Sequence, residues 1–511
     1  MKALIKKIDK TYAIAIGMFL ISWLTMSNSN VLEFVGQNKH AFYVTILLLY
    51  MGVFVLQVEH KGEVSDRLLF LGGFILQFIY VFATPYNVSP HDLGYFPGFD
   101  SQTVANGHLG YIGYIFNYGH IPPMNPMEIW GYYNPPLHFL LEAIWLRLNY
   151  IMGFAETVCL ENMQYLTMLY SMLCMCTLYS IINEIGLSEK GKKIWTLGIA
   201  FHPFFIFTAG CVNNDVLTLL FTLMAVLYTI KWYKDSTLKN ILILALAISL
   251  GMMTKLNAAL IAPATAFVFL VVLWKRRAEW KKLFVQFIAF GIVCVPLGMW
   301  WSVRGLLKYG MPIGYVQSFL SIGGQDVSEY SFLSRMIAER AQWMYPFMSF
   351  DNLAYRLDYG IPATLVKSSL FCDQRLFLDI EFGYYFCRAL VFITTALFAL
   401  AAIMVMWKVY EHIRYKLWDD IVFWFACIAI VVQIISYLGF CFGYPNVCSS
   451  DFRYVAACLA YLIIFMKENN IQREGKIGVR VKQVTSSFAY CLTILFAVLS
   501  VFIYVIYLLA L

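Results

Sequence analysis

A small set of acidic, basic and amide residues stands out because each lies at or just beyond the end of a long apolar run. A charged side chain inside a bilayer costs about 2.5 to 3.5 kcal/mol on insertion scales, so such residues are seldom accidental. The set comprises Asp92, Asn213, Asn214, Asp215, Lys255, Arg304, Asp451 and Arg453. We interpret these residues as one polar surface that binds and reacts with a substrate.

Asp92 has the features expected of a general base. It follows the apolar segment that ends near Thr84, and it lies between aromatic residues in the sequence PHDLGYF with His91 beside it. A carboxylate that takes a proton from an attacking hydroxyl must stand at the water boundary and be oriented by its neighbours. His91 could orient Asp92 or bind a metal. The alternative is that Asp92 only caps the next helix.

Three cations are expected on the same face. Arg304 follows a Trp pair in GMWWSVRGLLKYG, Arg453 stands between Asp451 and Tyr454 with Phe452, and Lys255 ends a helix in MTKLN. A guanidinium can hold a phosphate through two parallel hydrogen bonds, although a single interfacial arginine can also simply extend to the water. The three together predict a site for an anionic lipid headgroup, whose departing phosphate they would stabilise.

Asn213, Asn214 and Asp215 open an apolar helix. They either cap that helix or bind sugar hydroxyls or a divalent ion. A metal site is weakly supported, because the four histidines of the first outer loop form neither an HxxxH nor an HExxH motif. We therefore assign no metal ligand and leave a divalent cation open as a cofactor. The four histidines are His91, His108, His120 and His138.

The composition defines an integral membrane protein. Of 511 residues, 61% are hydrophobic and only 13% are charged, which a soluble surface cannot accommodate. The net charge of +7 resides mostly in short loops between apolar segments, so it indicates membrane topology and no nucleic-acid partner. The twelve cysteines show no metal-binding spacing, and whether Cys372 and Cys448 form disulfides stays open.

Hydropathy predicts about thirteen transmembrane helices, an all-α polytopic fold. The lysine- and arginine-rich loops, such as those around Lys192 and Arg276, are expected on the cytoplasmic side. The spans lie near 12–26, 41–58, 66–84, 160–182, 194–210, 214–233, 238–254, 257–274, 283–303, 385–408, 420–441, 453–467 and 486–511.

Two long segments are expected on the outer face. The loop 85–159 should contain juxtamembrane helices near 101–118 and 136–153, the second lying flat with Glu142 and Arg147 in water. The aromatic segment 304–384 is interpreted as a lid or acceptor platform, or else as a partly disordered loop. The expected organisation is 1–65 (two extra helices), 66–303 (transmembrane core), 304–384 (long outer loop) and 385–511 (C-terminal helices).

The order of these motifs resembles the GT-C superfamily of polyprenyl-phosphate-sugar glycosyltransferases, which includes protein O-mannosyltransferases and bacterial aminoarabinose transferases. The resemblance covers most of the chain. Two apolar spans precede the family's usual first helix, the first loop has His-Asp instead of Asp-Glu, and the long loop holds no sugar-recognition domain. The matching motifs are His91-Asp92, Tyr133-Asn134-Pro135-Pro136-Leu137, Asn213-Asn214-Asp215, Thr254-Lys255, Trp301 with Arg304 and Gly310, and Arg453-Tyr454.

The resemblance implies a GT-C-like helix bundle that moves a sugar from a polyprenyl-phosphate donor to an acceptor hydroxyl, with inversion. The acceptor would be a glycan, lipid or protein on the extracytoplasmic face of the plasma membrane. Asp92 would be the base, Arg304, Arg453 and Lys255 would bind the donor phosphate, and membrane lipids would surround the protein. The alternatives are a polymerase or ligase of lipid-linked glycans, or a flippase or transporter.

Overall fold

The computed structural model describes residues 10–88, 93–317, 324–350, 357–372, 381–468 and 476–510. Helices dominate this part of the chain, which confirms the predicted all-α class. The α-helices are α1 (Lys10–Met26), α2 (Ser29–Gln37), α3 (Lys39–Lys61), α4 (Asp66–Ala83), α5 (Gly107–Tyr118), α6 (Leu137–Ile151), α7 (Glu156–Ile185), α8 (Glu189–Ala200), α9 (Pro203–Thr208), α10 (Asn214–Lys234), α11 (Leu238–Thr254), α12 (Ala262–Lys275), α13 (Trp280–Tyr309), α14 (Phe332–Met336), α15 (Arg340–Met344), α16 (Ile361–Phe371), α17 (Glu381–Arg414), α18 (Ile421–Gly443), α19 (Cys458–Phe465) and α20 (Lys476–Ala510).

Nine helices within the described ranges are long and apolar enough to cross a membrane. A tenth span is added if α1 and α2, which meet at an angle of 89°, are counted as one broken span. The polytopic membrane architecture expected from hydropathy is thereby confirmed. The nine are α3, α4, α7, α10, α12 and α13 with their preceding 3₁₀ turns, α17, α18 and α20.

Three of the predicted spans are shorter or broken. The span expected at 194–210 is divided into α8 and α9, because Pro203 has no N–H to continue the helix and stands at the start of α9. The span expected at 238–254 is the 17-residue α11, and the span at 453–467 contains only the eight-residue α19 after a 3₁₀ turn at Phe452–Tyr454. Apolar length alone therefore did not reveal where the backbone breaks.

The chain divides into two compact units. The first unit contains residues 1–63, 77–177 and 205–318, and the second contains residues 64–76, 178–204 and 319–511. Asn213, Lys255 and Arg304 belong to the first unit, while Arg453 belongs to the second.

In the first unit, both helices predicted for the first outer loop are present as α5 and α6. They pack through aromatic rings: the Tyr111 ring stacks on those of Tyr132 and Phe139 at centroid distances of 4.6 and 4.2 Å. The Tyr132 hydroxyl also donates to the Ala105 carbonyl at 2.9 Å. The aromatic stack fixes α6 against α5, and the hydrogen bond holds the loop that precedes α5.

The prediction that the polar face of α6 stays wet is wrong for Glu142, which is fully buried. Arg147 covers the Phe116 ring, with its Cζ 4.2 Å from the ring centroid, and donates to the Phe116 carbonyl. The sequence pattern did not show this because a charged residue on a short amphipathic helix can face either water or a neighbouring helix. Cys372 is buried as well.

Helices α10, α11 and α13 pack side by side in the first unit, and small residues allow their close approach. A Cβ at Gly251 of α11 would lie 3.2 Å from the Phe221 Cβ of α10, and one at Gly298 of α13 would lie 3.0 Å from the Met252 sulfur of α11. This packing holds the end of α11, and hence Lys255, against the start of α10.

The described residues of the segment 304–384 that belong to the second unit, from 324 onward, are folded. Val327, Met348 and Leu357 form a buried cluster together with Val447, which follows α18. An isolated β-bridge between Asp326 and Asn446 joins the same two segments. Residues after α13 are thus tied to the chain that precedes Arg453.

Candidate functional site

The start of α10 and the end of α11 bring three predicted site residues together. The Asn213 side chain accepts a hydrogen bond from the Asp215 N–H at 3.0 Å and caps α10. The Asn214 amide donates to the Thr254 carbonyl at 3.2 Å, and the Lys255 ammonium donates to the Asp215 carboxylate at 2.6 Å. The cap is therefore Asn213, and Asp215 forms an ion pair.

This ion pair is partly accessible. The Asp215 side chain is 8% exposed and that of Lys255 is 21% exposed. The Asn214 carbonyl oxygen Oδ1 is buried without a hydrogen-bond partner among the described residues. The pair and the amide together offer a cation, a carboxylate and an open acceptor at one helix junction.

His138 of α6 lies next to this junction, and sequence reasoning gave it no role. It is fully buried, its two ring nitrogens have no partner among the described side chains, and it interacts electrostatically with His108 and Asp215. Burial, followed by the neighbouring His108, lowers the pKa of His138 well below its ordinary value. The ring is therefore neutral at physiological pH. Its position directly after the Pro135-Pro136-Leu137 motif was the available signal.

Arg304 lies near the end of α13 in an aromatic setting. Its Cζ is 4.9 Å from the Trp301 ring centroid and 5.2 Å from that of Tyr309. Its Nη2 donates to the Pro122 carbonyl at 3.3 Å and contacts the Tyr309 hydroxyl at 3.3 Å. The Tyr309 hydroxyl in turn donates to the Pro123 carbonyl. These contacts attach the end of α13 to the first outer loop.

The other terminal nitrogen of Arg304, Nη1, makes no hydrogen bond within the described residues. This nitrogen is buried. The Tyr111 hydroxyl, also buried and without a partner there, interacts electrostatically with Arg304. Burial raises the pKa of Tyr111, so this hydroxyl keeps its proton and can donate a hydrogen bond. Arg304 and Tyr111 thus present two donors near each other.

The two residues of the predicted base motif, His91 and Asp92, lie outside the described residues. Their flanks are held in the first unit. The Leu109 N–H donates to the Leu93 carbonyl at 2.8 Å, and a Cβ at Gly107, whose φ is +75°, would lie only 2.5 Å from the Gly94 Cα. On the other side, Glu161 accepts a hydrogen bond from the Tyr86 N–H at 3.0 Å. The described residues on either side of the motif are therefore held within the first unit.

In the second unit, Asp451 caps the 3₁₀ turn that contains Arg453 and Tyr454. Its carboxylate accepts a hydrogen bond from the Arg453 N–H at 2.8 Å. The Arg453 Cζ lies 4.9 Å from the Tyr454 ring centroid. Gln433 of α18 donates to the Tyr454 carbonyl at 2.6 Å. Arg304 and Arg453 lie in different units, so their meeting around one phosphate stays a prediction.

Sequence reasoning missed two charged groups of the second unit. Lys367 of α16 donates to both carboxylate oxygens of Asp358 at 2.8 and 3.0 Å, deep in the protein. Arg335 of α14 is only 2% exposed. A lysine inside the apolar sequence IPATLVKSSLF was a usable signal, whereas nothing in the sequence marked Arg335.

We find no group of three or more His, Cys, Asp or Glu side chains placed to hold a metal ion among the residues that the structure describes. A divalent cation as cofactor stays an open expectation.

Residues 134–300 match the model of the dolichyl-phosphate-mannose-protein mannosyltransferase family. The matched third of the chain includes Asn213–Asp215 and Lys255 and ends before Arg304 and Arg453. The match confirms the resemblance that the motifs indicated. Over that third of its length, this helical membrane protein is therefore similar to a family of lipid-phosphate-dependent glycosyltransferases.

No curated protein matches the sequence. Among solved structures, the chain is similar to the oligosaccharyltransferase of Archaeoglobus fulgidus in a complex with Zn and sulfate, with 13% identity, a TM-score of 0.44, and coverage of 86% of this chain and 52% of that chain. The chain is also similar to oligosaccharyltransferase AglB from the same organism, in complex with an inhibitory peptide and a dolichol-phosphate. The identity is 14%, the TM-score is 0.44, and the match covers 86% of this chain and 55% of that chain. For ArnT from Cupriavidus metallidurans in the apo state, the identity is 12%, the TM-score is 0.34, and the match covers 78% of this chain and 76% of that chain. The chain thus spans about half the length of the two oligosaccharyltransferase chains.

Proposed function

We propose that this protein transfers a sugar from a polyprenyl-phosphate carrier to an acceptor hydroxyl on the extracytoplasmic side of the plasma membrane, with inversion at the anomeric carbon. The observation that carries the proposal is the setting of Arg304, a half-buried arginine at the end of a span, whose Nη1 is buried and has no hydrogen-bond partner among the described residues. The match of residues 134–300 to the mannosyltransferase family supports the same class of donor.

Arg304 binds the donor phosphate in this proposal. Its aromatic neighbours and the Pro122 carbonyl hold one side of the guanidinium, which leaves Nη1 to donate to a phosphate oxygen. A donor fixed in advance stabilises the negative charge that develops on the departing phosphate without reorganisation at the moment of reaction. The Tyr111 hydroxyl supplies a neutral donor beside it.

The junction of α10 and α11 orients the sugar. Asp215 holds the Lys255 ammonium in one position, from which Lys255 contacts the phosphate, and the open Asn214 oxygen accepts a hydrogen bond from a sugar hydroxyl. Asn213 acts through the helix cap, because its side chain is engaged by the Asp215 N–H. Precise placement of this kind accounts for a large part of many catalysed transfers.

Asp92 is the proposed base and His91 its orienting neighbour. Asp92 removes the proton from the acceptor hydroxyl while the acceptor oxygen forms a bond to the anomeric carbon. The bond between that carbon and the phosphate oxygen breaks, and the phosphate departs with the electron pair. Attack from the face opposite the phosphate gives inversion. In the second unit, Arg453 would add a cation, with Asp451 and Tyr454 fixing its backbone and side chain.

The acceptor is a glycan, a lipid or a protein. Polymerisation of lipid-linked glycans and transport of the lipid carrier are the competing functions, and one assay distinguishes transfer from transport. Purified protein in vesicles is incubated with a polyprenyl-phosphate monosaccharide labelled in the sugar. Transfer of label to an acceptor, with release of polyprenyl phosphate, is the expected result. Movement of intact donor across the membrane without cleavage would assign transport instead.

The residue roles are tested in the same assay. Asp92→Asn should lower transfer by about 100-fold or more while donor binding is kept, since general-base catalysis contributes about 10² to 10⁴ in rate. Arg304→Ala should raise the KM for the donor more than that for the acceptor. Lys308→Ala is the matched control, because Lys308 is an exposed cation on the same helix end. A fully active Asp92→Asn enzyme would exclude Asp92 as the base.

A further inference from the structure

Arg335, in the short helix α14 of the second unit, is a buried cation with no role in the proposed transfer. Arg335 is only 2% exposed, and its Cζ lies 4.8 Å from the Phe442 ring centroid. Burial lowers the pKa of the guanidinium, while neighbouring Cys441, Tyr437 and Asp326 oppose that shift. A charge removed from water in this way needs compensation by an oppositely charged or hydrogen-bonding group.

The guanidinium lacks such a group on one edge. Nε and Nη2 are both buried and have no hydrogen-bond partner among the described residues. These two nitrogens carry the parallel N–H groups that fit two oxygens of a phosphate or carboxylate at once. Nε and Nη2, which both lack a hydrogen-bond partner among the described residues, therefore form one complete edge for bidentate binding.

The depth of this edge relative to the membrane follows from Phe442. Phe442 is the penultimate residue of α18, a helix that qualifies as a membrane span and ends at Gly443. Spans end where the hydrocarbon gives way to lipid headgroups. Because the guanidinium covers the Phe442 ring, it lies at the level of the lipid phosphates.

Apolar side chains surround Arg335 on the outside of the same segment. Phe332, Leu333 and Ile337 are 65%, 64% and 65% exposed, and the Phe332 ring stacks on Phe442 at 5.0 Å. A soluble anion would gain nothing from this apolar surface, whereas an acyl chain would remove it from water. The combination of an anion edge and an apolar surface fits an amphiphile.

We propose that Arg335 is the phosphate-binding residue of a site for an anionic glycerophospholipid of the surrounding leaflet, whose acyl chain covers Phe332, Leu333 and Ile337. This proposal does not depend on the proposed transfer reaction. It would fasten the segment that contains α14 to the membrane surface.

The competing explanation is that acceptors within the protein satisfy the hydrogen bonds of the Arg335 guanidinium. The Gln325 Oε1 and Asn446 Oδ1 atoms are buried acceptors without partners in the described part of the chain, and the exposed Asp326 interacts electrostatically with Arg335. If these acceptors reach Arg335 through water, replacing Arg335 would destabilise the protein without any effect on lipid binding. That outcome would overturn the proposal.

The test uses the full-length protein in detergent, titrated with phosphatidylglycerol or phosphatidylcholine, with bound lipid counted by native mass spectrometry. We expect saturable binding of phosphatidylglycerol, about 10-fold or more weaker for Arg335→Gln, since a hydrogen-bonded charge contributes enough for such a change. Arg335→Lys should bind at an intermediate level, because it keeps the charge and loses the bidentate edge. Arg340→Gln, at an exposed arginine five residues along, should bind as the wild type does.

Two further experiments test the proposal if the Arg335→Gln variant fails to fold or if another lipid phosphate binds the site. If Arg335→Gln fails to fold, Leu333→Ser tests the acyl-chain contact at an exposed position and should also weaken phosphatidylglycerol binding. Competition with polyprenyl phosphate identifies the source of the phosphate. Displacement by polyprenyl phosphate at lower concentration than by phosphatidylglycerol would assign Arg335 to the donor and overturn the proposal, as would equal lipid binding by wild type and Arg335→Gln.

Discussion

Two lysine–aspartate pairs of similar length occupy very different surroundings in this protein. Lys255 and Asp215 in the first unit are 2.6 Å apart with side chains 21% and 8% exposed, and Lys367 and Asp358 in the second are 2.8 Å apart with side chains 0% and 2% exposed. The first pair joins two helix ends next to open polar atoms. The second is sealed beneath α16, where Ser349 donates its N–H to the same carboxylate.

The difference separates a partly accessible pair, which we propose acts on the substrate, from a sealed pair that holds the fold. Burial raises the pKa of Asp358 and lowers that of Lys367, and the charge of each partner opposes the shift in the other. A buried pair of this kind gains little over an apolar replacement of both partners, but loss of one partner is costly. The Lys255–Asp215 pair can redirect its charges toward a ligand because part of it is accessible.

Lys367→Met should give the largest loss of stability. It leaves the Asp358 carboxylate buried without its cation, which costs about 3 to 5 kcal/mol. The measurement is the thermal unfolding midpoint of the purified protein in detergent. Lys282→Met, which removes one partner of an exposed pair with Glu279, is the control and should change little. Similar midpoints for the two variants would contradict the structural role of the buried pair.

Asp215→Asn should affect activity more than stability. Without the carboxylate, the Lys255 ammonium loses its fixed position, and a displacement of about 1 Å at a reacting site can cost about 100-fold in rate. The transfer assay and the unfolding midpoint are measured on the same preparation. A variant that loses as much stability as Lys367→Met while keeping its transfer rate would show that both pairs are structural.

Glu142→Gln should produce the smallest effect, seen in the pH dependence of stability. Burial raises the pKa of Glu142 well above its ordinary value, so the folded protein keeps a proton that the unfolded chain releases. The stabilisation is fully present below the unfolded pKa of about 4.3 and is lost as the pH rises toward the folded pKa. The variant, which cannot ionise, should lose less stability between about pH 5 and 8 than the wild type. Parallel pH profiles would mean that Glu142 is ionised in the fold.

Much of the site could be read from the sequence because polar residues at the ends of apolar spans are conspicuous. Asn213, Asn214, Asp215 and Lys255 were singled out in this way, and the structure places them at one helix junction. Their roles were less accessible: the capping residue is Asn213, whereas Asp215 is committed to Lys255. Only the packing of α10 against α11 decides which of two neighbouring polar residues caps and which pairs.

Buried charges of the loop segments were beyond sequence reasoning. Glu142 was expected in water and is fully buried, and Arg335 was not noticed. In a short helix the direction of one side chain depends on the neighbours that the helix meets, and that information is spread over distant parts of the chain. Hydropathy identifies long spans well because a bilayer imposes the same length requirement on each of them.

The sequence by itself determined that this is a polytopic helical membrane protein with polar residues gathered at the ends of its spans, and its motifs indicated the GT-C class. These properties follow from composition and local order, since apolar length and charge are local quantities. The tertiary structure alone decided which charges are paired, which are sealed and which retain open hydrogen-bonding atoms. Arg304 and Arg335 differ from other arginines of the chain only through the side chains that surround them, because burial and hydrogen bonding depend on contacts between residues far apart in the sequence.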